Sequence, residues 1–291
     1  MTLMPFAFDQ AFTAQLIAIT RAAGKAILAI YHAPETANIQ IKSDDSPLTA
    51  ADLAAHNLIV RELPKLLDVP IISEESVLPD FAERQSWPVY WLIDPLDGTK
   101  EFIARNGQFT VNIALVIAGV PQLGVVHVPV TDETYLGLDK SIAVDQRGCA
   151  QKYVAGIKHS DLQTQSMAEK FTEKQPLNIL MSLRHGSNEQ TALVAKLQSH
   201  WPAPLNPLNA GSSLKFCWIA EGRADFYPRL APTSEWDTAA AQAVLTAAGG
   251  KVVRADNLQP LRCNTQESLL NPFFLAMGDA DFDWQSLLAE S

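Results

Sequence analysis

Apolar residues at Phe12, Leu16, Ile19, Ala23, Ile27 and Ile30 recur at steps of three and four, the spacing that aligns one face of a helix. This predicts an amphipathic helix over 9–32. A short strand is expected over 39–42, followed by the polar turn Ser43-Asp44-Asp45-Ser46-Pro47. Thr49 is placed to cap a second helix that runs to about Leu67, with Asp52 in its first turn. Short apolar runs with polar ends predict buried strands over 70–73 and 89–93. Two further runs, 109–117 and 123–128, flank Ala118-Gly119-Val120-Pro121 and predict a hairpin, with another strand over 134–138.

From about Cys149 to Gln175 the chain turns polar and loses its period. This stretch is the expected boundary between an N-terminal lobe, 1–150, and a C-terminal lobe, 151–291. Beyond it, strands over 177–181, 224–227, 251–254 and 273–277 alternate with helices over 188–198, 212–221 and 236–248. The last helix is Ala-rich and is stopped by Gly249-Gly250 at its C-cap. Such alternation implies layered α/β packing.

Composition narrows the function classes. A chain of 291 residues suits one large domain or two lobes sharing a core. With 47% apolar and 19% charged residues, disorder as the main state is excluded. The 22 Lys and Arg against 32 Asp and Glu leave a net charge of −10, which argues against binding long nucleic acids. A small anion held by local counter-charge remains compatible with it. Cys149, Cys217 and Cys263 are far apart and form no CxxC pair, so buried free thiols in a reducing compartment are expected. No basic segment precedes an apolar core at the N-terminus, and no run approaches the ~18 apolar residues of a membrane span. The expectation is a soluble cytoplasmic protein, with peripheral contact to the inner face of a membrane left open.

The most informative segment is Trp91-Leu92-Ile93-Asp94-Pro95-Leu96-Asp97-Gly98-Thr99-Lys100-Glu101-Phe102. A buried strand runs into Asp94, and Pro95 and Gly98 then force a turn that places two carboxylates on one bend. Unpaired, they repel and raise each other's pKa, and a divalent cation removes that problem. Hard oxygen ligands favour Mg²⁺ over zinc. The N–H groups of Gly98 and Thr99 are free to face a phosphate if a helix starts there. The bland alternative is an ordinary Asp-rich turn. Glu74 and Glu75 follow a short apolar strand, where solvated loop acids are common. Asp237 opens the Ala-rich helix and Asp52 the second helix, and capping or dipole complementarity accounts for either alone.

Taken in order, Ser46-Pro47-Leu48-Thr49-Ala50-Ala51-Asp52, Ser73-Glu74-Glu75-Ser76, Asp94-Pro95-Leu96-Asp97-Gly98-Thr99 and Trp236-Asp237 resemble the motifs of the inositol monophosphatase superfamily of Mg²⁺-dependent, lithium-sensitive phosphatases. The resemblance spans nearly the whole chain. Asp94 to Phe102 together with Gly211-Ser212-Ser213-Leu214-Lys215-Phe216 is similar to the CysQ-type 3′(2′),5′-bisphosphate nucleotidases, which convert adenosine 3′,5′-bisphosphate to AMP. Ser73 departs from the glycine that many members carry before the glutamate pair. The resemblance implies an αβαβα sandwich with the site between the lobes. It implies that Glu74, Asp94 and the Leu96 carbonyl hold a first Mg²⁺. Asp94, Asp97 and Asp237 would hold a second, with Glu74 also reaching a third. It further implies in-line attack by a metal-bound water, without a phosphoenzyme, with Thr99 and Asp52 orienting that water and taking its proton.

Substrate choice turns on Ala224-Asp225-Phe226-Tyr227-Pro228-Arg229, where inositol-specific relatives place an acid that binds sugar hydroxyls. An arginine there suits a second phosphate, because its planar fork binds two oxygens. Arg229 and Lys215 are therefore the expected contacts of the non-scissile phosphate, with solvated surface cations as the alternative. Asp97, Gly98, Thr99 and Ser212 complete the expected substrate contacts, and Arg184 and His185 are candidates to line the nucleotide pocket. The expected substrate is the bisphosphate, with its sulfated relative PAPS as a second one. An inositol or sugar monophosphatase, and a catalytically silent nucleotide sensor, are the alternatives. Very short RNA fragments are a further candidate substrate.

Overall fold

The computed structural model describes residues 8–33, 40–41, 47–48, 50–181 and 188–288. The chain opens with α1 (Gln10–Tyr31), β1 (Gln40–Ile41), β2 (Pro47–Leu48), α2 (Ala50–Leu66), β3 (Ile71–Ser73) and α3 (Phe81–Arg84). There follow β4 (Val89–Asp97), α4 (Thr99–Ile103), β5 (Thr110–Ile117), β6 (Val120–Val128), β7 (Glu133–Leu138), β8 (Cys149–Val154) and β9 (Ile157–Asp161). The remainder comprises α5 (Met167–Thr172), β10 (Leu177–Met181), α6 (Asn188–His200), β11 (Leu205–Asn209), α7 (Leu214–Ala220) and β12 (Phe226–Arg229). It closes with α8 (Ala239–Ala247), β13 (Lys251–Arg254), β14 (Phe274–Met277) and α9 (Trp284–Leu288).

Strands β3 to β9 form one seven-stranded sheet in sequence order, and a five-stranded sheet runs β11-β10-β12-β14-β13. The two-residue alternation of strand side chains sorts the apolar residues into layers. Along β4, Val89, Trp91 and Ile93 face α1 and α2, whereas Tyr90 and Leu92 face the opposite core. Along β14, Phe274 and Ala276 enter that same central core, and Leu275 and Met277 face the outer layer with Trp284 of α9. Both sheets are thus apolar on both faces. The central layer, α7 and α8, fills the space between them, which gives the αβαβα order.

The central helix comes unusually close to the first sheet. Gly124 of β6 and Gly137 of β7 are register partners. A Cβ on Gly124 would stand 2.1 Å from the Ala240 carbonyl oxygen, and one on Gly137 2.4 Å from the Val244 Cα. Ala240 and Val244 are one turn apart on α8, so two glycines accept one stripe of the helix. The alanine content of α8 serves the same approach on the helix side.

The polar stretch after Cys149 is ordered rather than structureless. It contributes β8 and β9 to the first sheet, so a division after residue 150 falls inside a strand, and the change of sheet lies between Asp161 and Leu177. These strands keep most side chains half-buried or exposed, which removes the alternation that would mark them. Helix α1 is long and apolar enough to cross a membrane by length and composition, against the sequence expectation. Its Leu16, Ala23 and Ile27 are fully buried against the sheet, which accounts for its apolar face. Cys217 and Cys263 are buried free thiols as expected, and Cys149 is only half-buried.

Because backbone atoms of α8 block the extra methyl group, Gly137→Ala should lower the unfolding free energy by about 3 kcal/mol. Gly278→Ala, whose Cβ would meet ordinary contacts from 3.4 Å outward, should cost about 1 kcal/mol or less. Urea midpoints measure both, and equal losses would remove the close-approach account.

Candidate active site

Carboxylates three residues apart on a regular strand point to opposite faces. β4 avoids this by a bulge: Asp94 pairs with Asn112 and Asp97 with Thr110, so three steps on β4 match two on β5. The extra residue falls at Pro95-Leu96, where proline has no N–H to offer the ladder. The change of parity turns both acids to the face shared by Thr110 and Asn112. Leu96 goes the other way, fully buried in the core under α1 and α2. Asp94 Oδ1 accepts the Leu96 N–H at 3.0 Å and closes the bulge.

Asp97 Oδ2 accepts the Ser213 N–H at 2.7 Å, the Ser212 hydroxyl at 2.5 Å and Asn112 Nδ2 at 3.3 Å. Ser212 holds a left-handed backbone, φ +52°, and its hydroxyl also lies 2.6 Å from Thr110 Oγ1. This conformation explains why α7 starts at Leu214 rather than at Ser212 as expected from the sequence. Ser213 Oγ donates to the Asp237 carbonyl at 2.6 Å. The Ser212-Ser213 pair therefore ties the acid of the first sheet to the segment that carries Asp237.

Asp237 precedes α8, in a 3-10 turn, Glu235–Asp237, and not in the helix expected over 236–248. Its Oδ2 accepts the Ser234 N–H at 2.9 Å within a capping box. Capping and convergence on the site are thus two uses of one side chain. Asp94, Asp97 and Asp237 each offer a carboxylate oxygen, and these oxygens lie within 4.8 Å of one another. Glu74 follows β3, whose Ser73 is the register partner of Ile93, so the glutamate stands beside Asp94 across a parallel pair. Asp52 is buried in the first turn of α2, which argues against a solvated cap.

These acids act on each other. Burial holds the Asp94 carboxyl well above its ordinary range, reinforced by Glu74, Asp97, Asp237 and Asp52. Burial and then Asp97 push Asp237 up to about 8, against the Ser234 N–H. The donor set is all oxygen and its charge is in excess, which fits a hard divalent cation. Gly98 occupies φ +91°, ψ 44°, a region open to glycine, and α4 starts at Thr99, which is half-buried.

A cavity of about 230 Å³ adjoins Asp97 and Asp237 and is flanked by Ser212, Lys215 and Arg229. Lys215 is 8% exposed, so it is no solvated surface cation. Its Nζ donates to the Ser212 carbonyl at 3.2 Å and sits 5.4 Å from the Tyr227 ring centroid. Burial pushes it down to about 8, with Asp97 opposing and Arg229 adding to the shift. Arg229 ends β12 and is anchored by Nε to the Ala231 carbonyl, 3.1 Å, and by Nη2 to that of Pro232, 2.8 Å. Arg184, His185 and Thr49 lie outside the described residues.

Thr110, Asn112 and Ser213, which orient Asp97, were missed by sequence reasoning, as was Lys100 on the cavity wall. Thr110 and Asn112 did leave a signal: two polar residues at i and i+2 on a strand otherwise apolar. Asn271 left none, although its Nδ2 donates to the Ser234 carbonyl at 2.7 Å and to Thr238 Oγ1 at 3.1 Å.

Residues 9–278 match the inositol monophosphatase family. The chain is 42% identical over 261 residues to a 3′(2′),5′-bisphosphate nucleotidase CysQ from Salmonella typhimurium, covering 89% of this chain and 97% of that protein. The crystal structure of CysQ from Bacteroides thetaiotaomicron superimposes with a TM-score of 0.76 at 38% identity, covering 94% of this chain and 99% of that one. An inositol monophosphatase from Anabaena gives a TM-score of 0.68 at 26% identity, over 96% and 94% of the two chains.

With Asp94 and Asp237 raised above their unfolded values, the metal-free folded protein binds more protons than the unfolded chain from the ordinary carboxyl range up to about 8. Their contribution to stability is therefore lost as pH rises through that window, and a bound cation should restore it. The rise in Tm caused by Mg²⁺ should be larger at pH 8 than at pH 5. Asp94→Asn should raise the metal-free Tm and abolish the increment. An increment independent of pH would contradict this.

Proposed function

Since this chain belongs to the inositol monophosphatase family, we propose that it is a 3′(2′),5′-bisphosphate nucleotidase that hydrolyses the 3′-phosphate of adenosine 3′,5′-bisphosphate to give AMP, and acts on PAPS as well. The observation that carries the substrate is the cavity beside the acids, with a buried Lys215 and an anchored Arg229 on its wall. A substrate with one phosphate leaves those two cations bonded only to backbone carbonyls, with no phosphate to pair with. A bisphosphate matches the acidic end through bound cations and the basic end directly.

In this proposal Glu74, Asp94, the Leu96 carbonyl, Asp97 and Asp237 hold two to three Mg²⁺ ions. When bound, Mg²⁺ lowers the pKa of water and neutralises charge on the phosphoryl oxygens. Thr99 orients the attacking water through its hydroxyl, and Asp52 accepts the proton that Thr99 passes on. The N–H groups of Gly98 and Thr99 face the scissile phosphate. Lys215 and Arg229 hold the other phosphate, Ser212 binds beside them, and Arg184 and His185 line the nucleotide side. A first lobe that extends through β9 to Asp161 supplies Asp52, Glu74, Asp94 and Asp97, and a second, from Leu177 onward, supplies Asp237 and the basic residues. Cytoplasmic residence and action on a free nucleotide belong to the same proposal, and the net charge of −10 supports a small substrate over a long nucleic acid.

Arg229→Ala and Lys215→Met should each lower kcat/KM for adenosine 3′,5′-bisphosphate by about 10- to 100-fold, the value of one charged hydrogen bond. Turnover of adenosine 3′-monophosphate should change little. Equal losses on both substrates, or faster turnover of inositol phosphate than of the bisphosphate by the unaltered protein, would sink the assignment. Thr99→Ala should lower kcat by about 100-fold or more at unchanged KM.

A further inference from the structure

Asp237 is the acid that reaches the cluster from the second half of the chain, and repulsion from Asp94 and Asp97 pushes it outward. Its turn is gripped from outside by the connection between β13 and β14. The Asn264 N–H donates to both carboxylate oxygens of Glu235, at 3.0 and 2.8 Å. The Glu235 N–H in turn donates to the Leu269 carbonyl at 2.8 Å. That connection is bonded to Arg84, the last residue of α3, in the segment that joins β3 to β4 of the other sheet.

Arg84 is 2% exposed. Its guanidinium donates to Asn264 Oδ1, to the Glu267 carbonyl, and to the Gln266 carbonyl at 3.0 Å. Asn264 Nδ2 returns a bond to the Arg84 carbonyl at 2.6 Å. A buried guanidinium is costly unless its donors are met; here oxygens of a single loop meet Nη1 and Nη2, while Nε has no hydrogen-bond partner among the described residues. Glu235, buried behind Asn264 with its carboxyl pushed up to about 7 by burial, completes a chain that runs from cation to amide to carboxyl. Loop folding alone does not need two buried ionisable groups. When the cluster gives up its protons to take a cation, Asp237 has to keep its oxygen within 4.8 Å of those of Asp94 and Asp97, and a tie between the sheets resists the repulsion that then appears.

We propose that Arg84, Asn264 and Glu235 form a strap that positions Asp237 for cation capture. They are positioning residues and touch neither substrate nor cation. The strap rests on the assignment of Asp237 as a cation ligand.

The test is an electron paramagnetic resonance titration with Mn²⁺, as a probe for Mg²⁺, on the full chain without substrate. Asn264→Gly removes both side-chain bonds and keeps the N–H to Glu235, and its φ of +57° is one that glycine adopts freely. Asn264→Gly and Arg84→Met should bind Mn²⁺ about 10-fold more weakly or worse, the scale for groups that orient metal ligands, and Arg84→Lys should recover part of the loss. A merely structural role would lower the metal-free Tm and leave the affinity of the folded protein alone. Affinities within about twofold of the parent for Asn264→Gly overturn the strap even if Arg84→Met fails to fold. Asp237→Asn is the control: if it binds Mn²⁺ like the parent, the ligand assignment falls and the strap falls with it.

Discussion

Mutual repulsion among closely gathered carboxylates is the constraint around which this protein is organised. Asp94, Asp97 and Asp237 bring their oxygens within 4.8 Å of one another, with Glu74 and Asp52 adding to the same field. Such a cluster opposes folding unless protons or cations neutralise it. The local hydrogen bonds make sense against that repulsion. One oxygen of Asp97 is committed to Ser212 and Ser213, and one oxygen of Asp237 to the Ser234 N–H. Each carboxylate is thereby oriented while its other oxygen stays available.

The layered fold transmits this constraint. Two glycines on neighbouring strands let α8 approach the first sheet, and the turn just before α8 carries Asp237. The depth of the helix therefore sets how far the acid of the second half projects toward Asp94. Ser213 links the two from inside, because its N–H meets Asp97 and its hydroxyl meets the Asp237 carbonyl. Arg84 links the same pair of layers from outside. The net charge of −10 is partly the signature of this cluster and is compatible with a phosphate-bearing partner once cations are bound.

How much was legible in the sequence depended on whether a residue's local chemistry encodes its role. Asp94-Pro95-Leu96-Asp97-Gly98 could be read as a break that gathers two carboxylates, because proline and glycine disrupt a regular strand, but the break is a bulge within β4 and not the turn expected after residue 93. The start of α8 could not be placed, since a Ser-x-x-Asp capping box and the first turn of a helix share one pattern. Strand β11 was missed because Leu205 to Asn209 is an edge strand that is largely exposed and interrupted by Pro207, so it carries no alternation. Asn271 and Asn264 act through contacts far away in sequence, and nothing local marks them. From sequence, Lys215 reads equally as a surface cation and as a site residue, and its burial decides between them. Family resemblance carried the assignment of acids that local pattern alone left ambiguous.

The most direct test of the account is calorimetric titration of Mg²⁺ into metal-free protein at pH 7 in buffers of different ionisation enthalpy, which counts protons exchanged on binding. Asp237, pushed up to about 8, and Asp94, raised well above its ordinary range, should hold protons before the cation arrives. Binding should therefore release about one proton or more, and Asp237→Asn should reduce that number. Binding with no proton release at pH 7 would contradict the claim that the repelling carboxylates form the cation site.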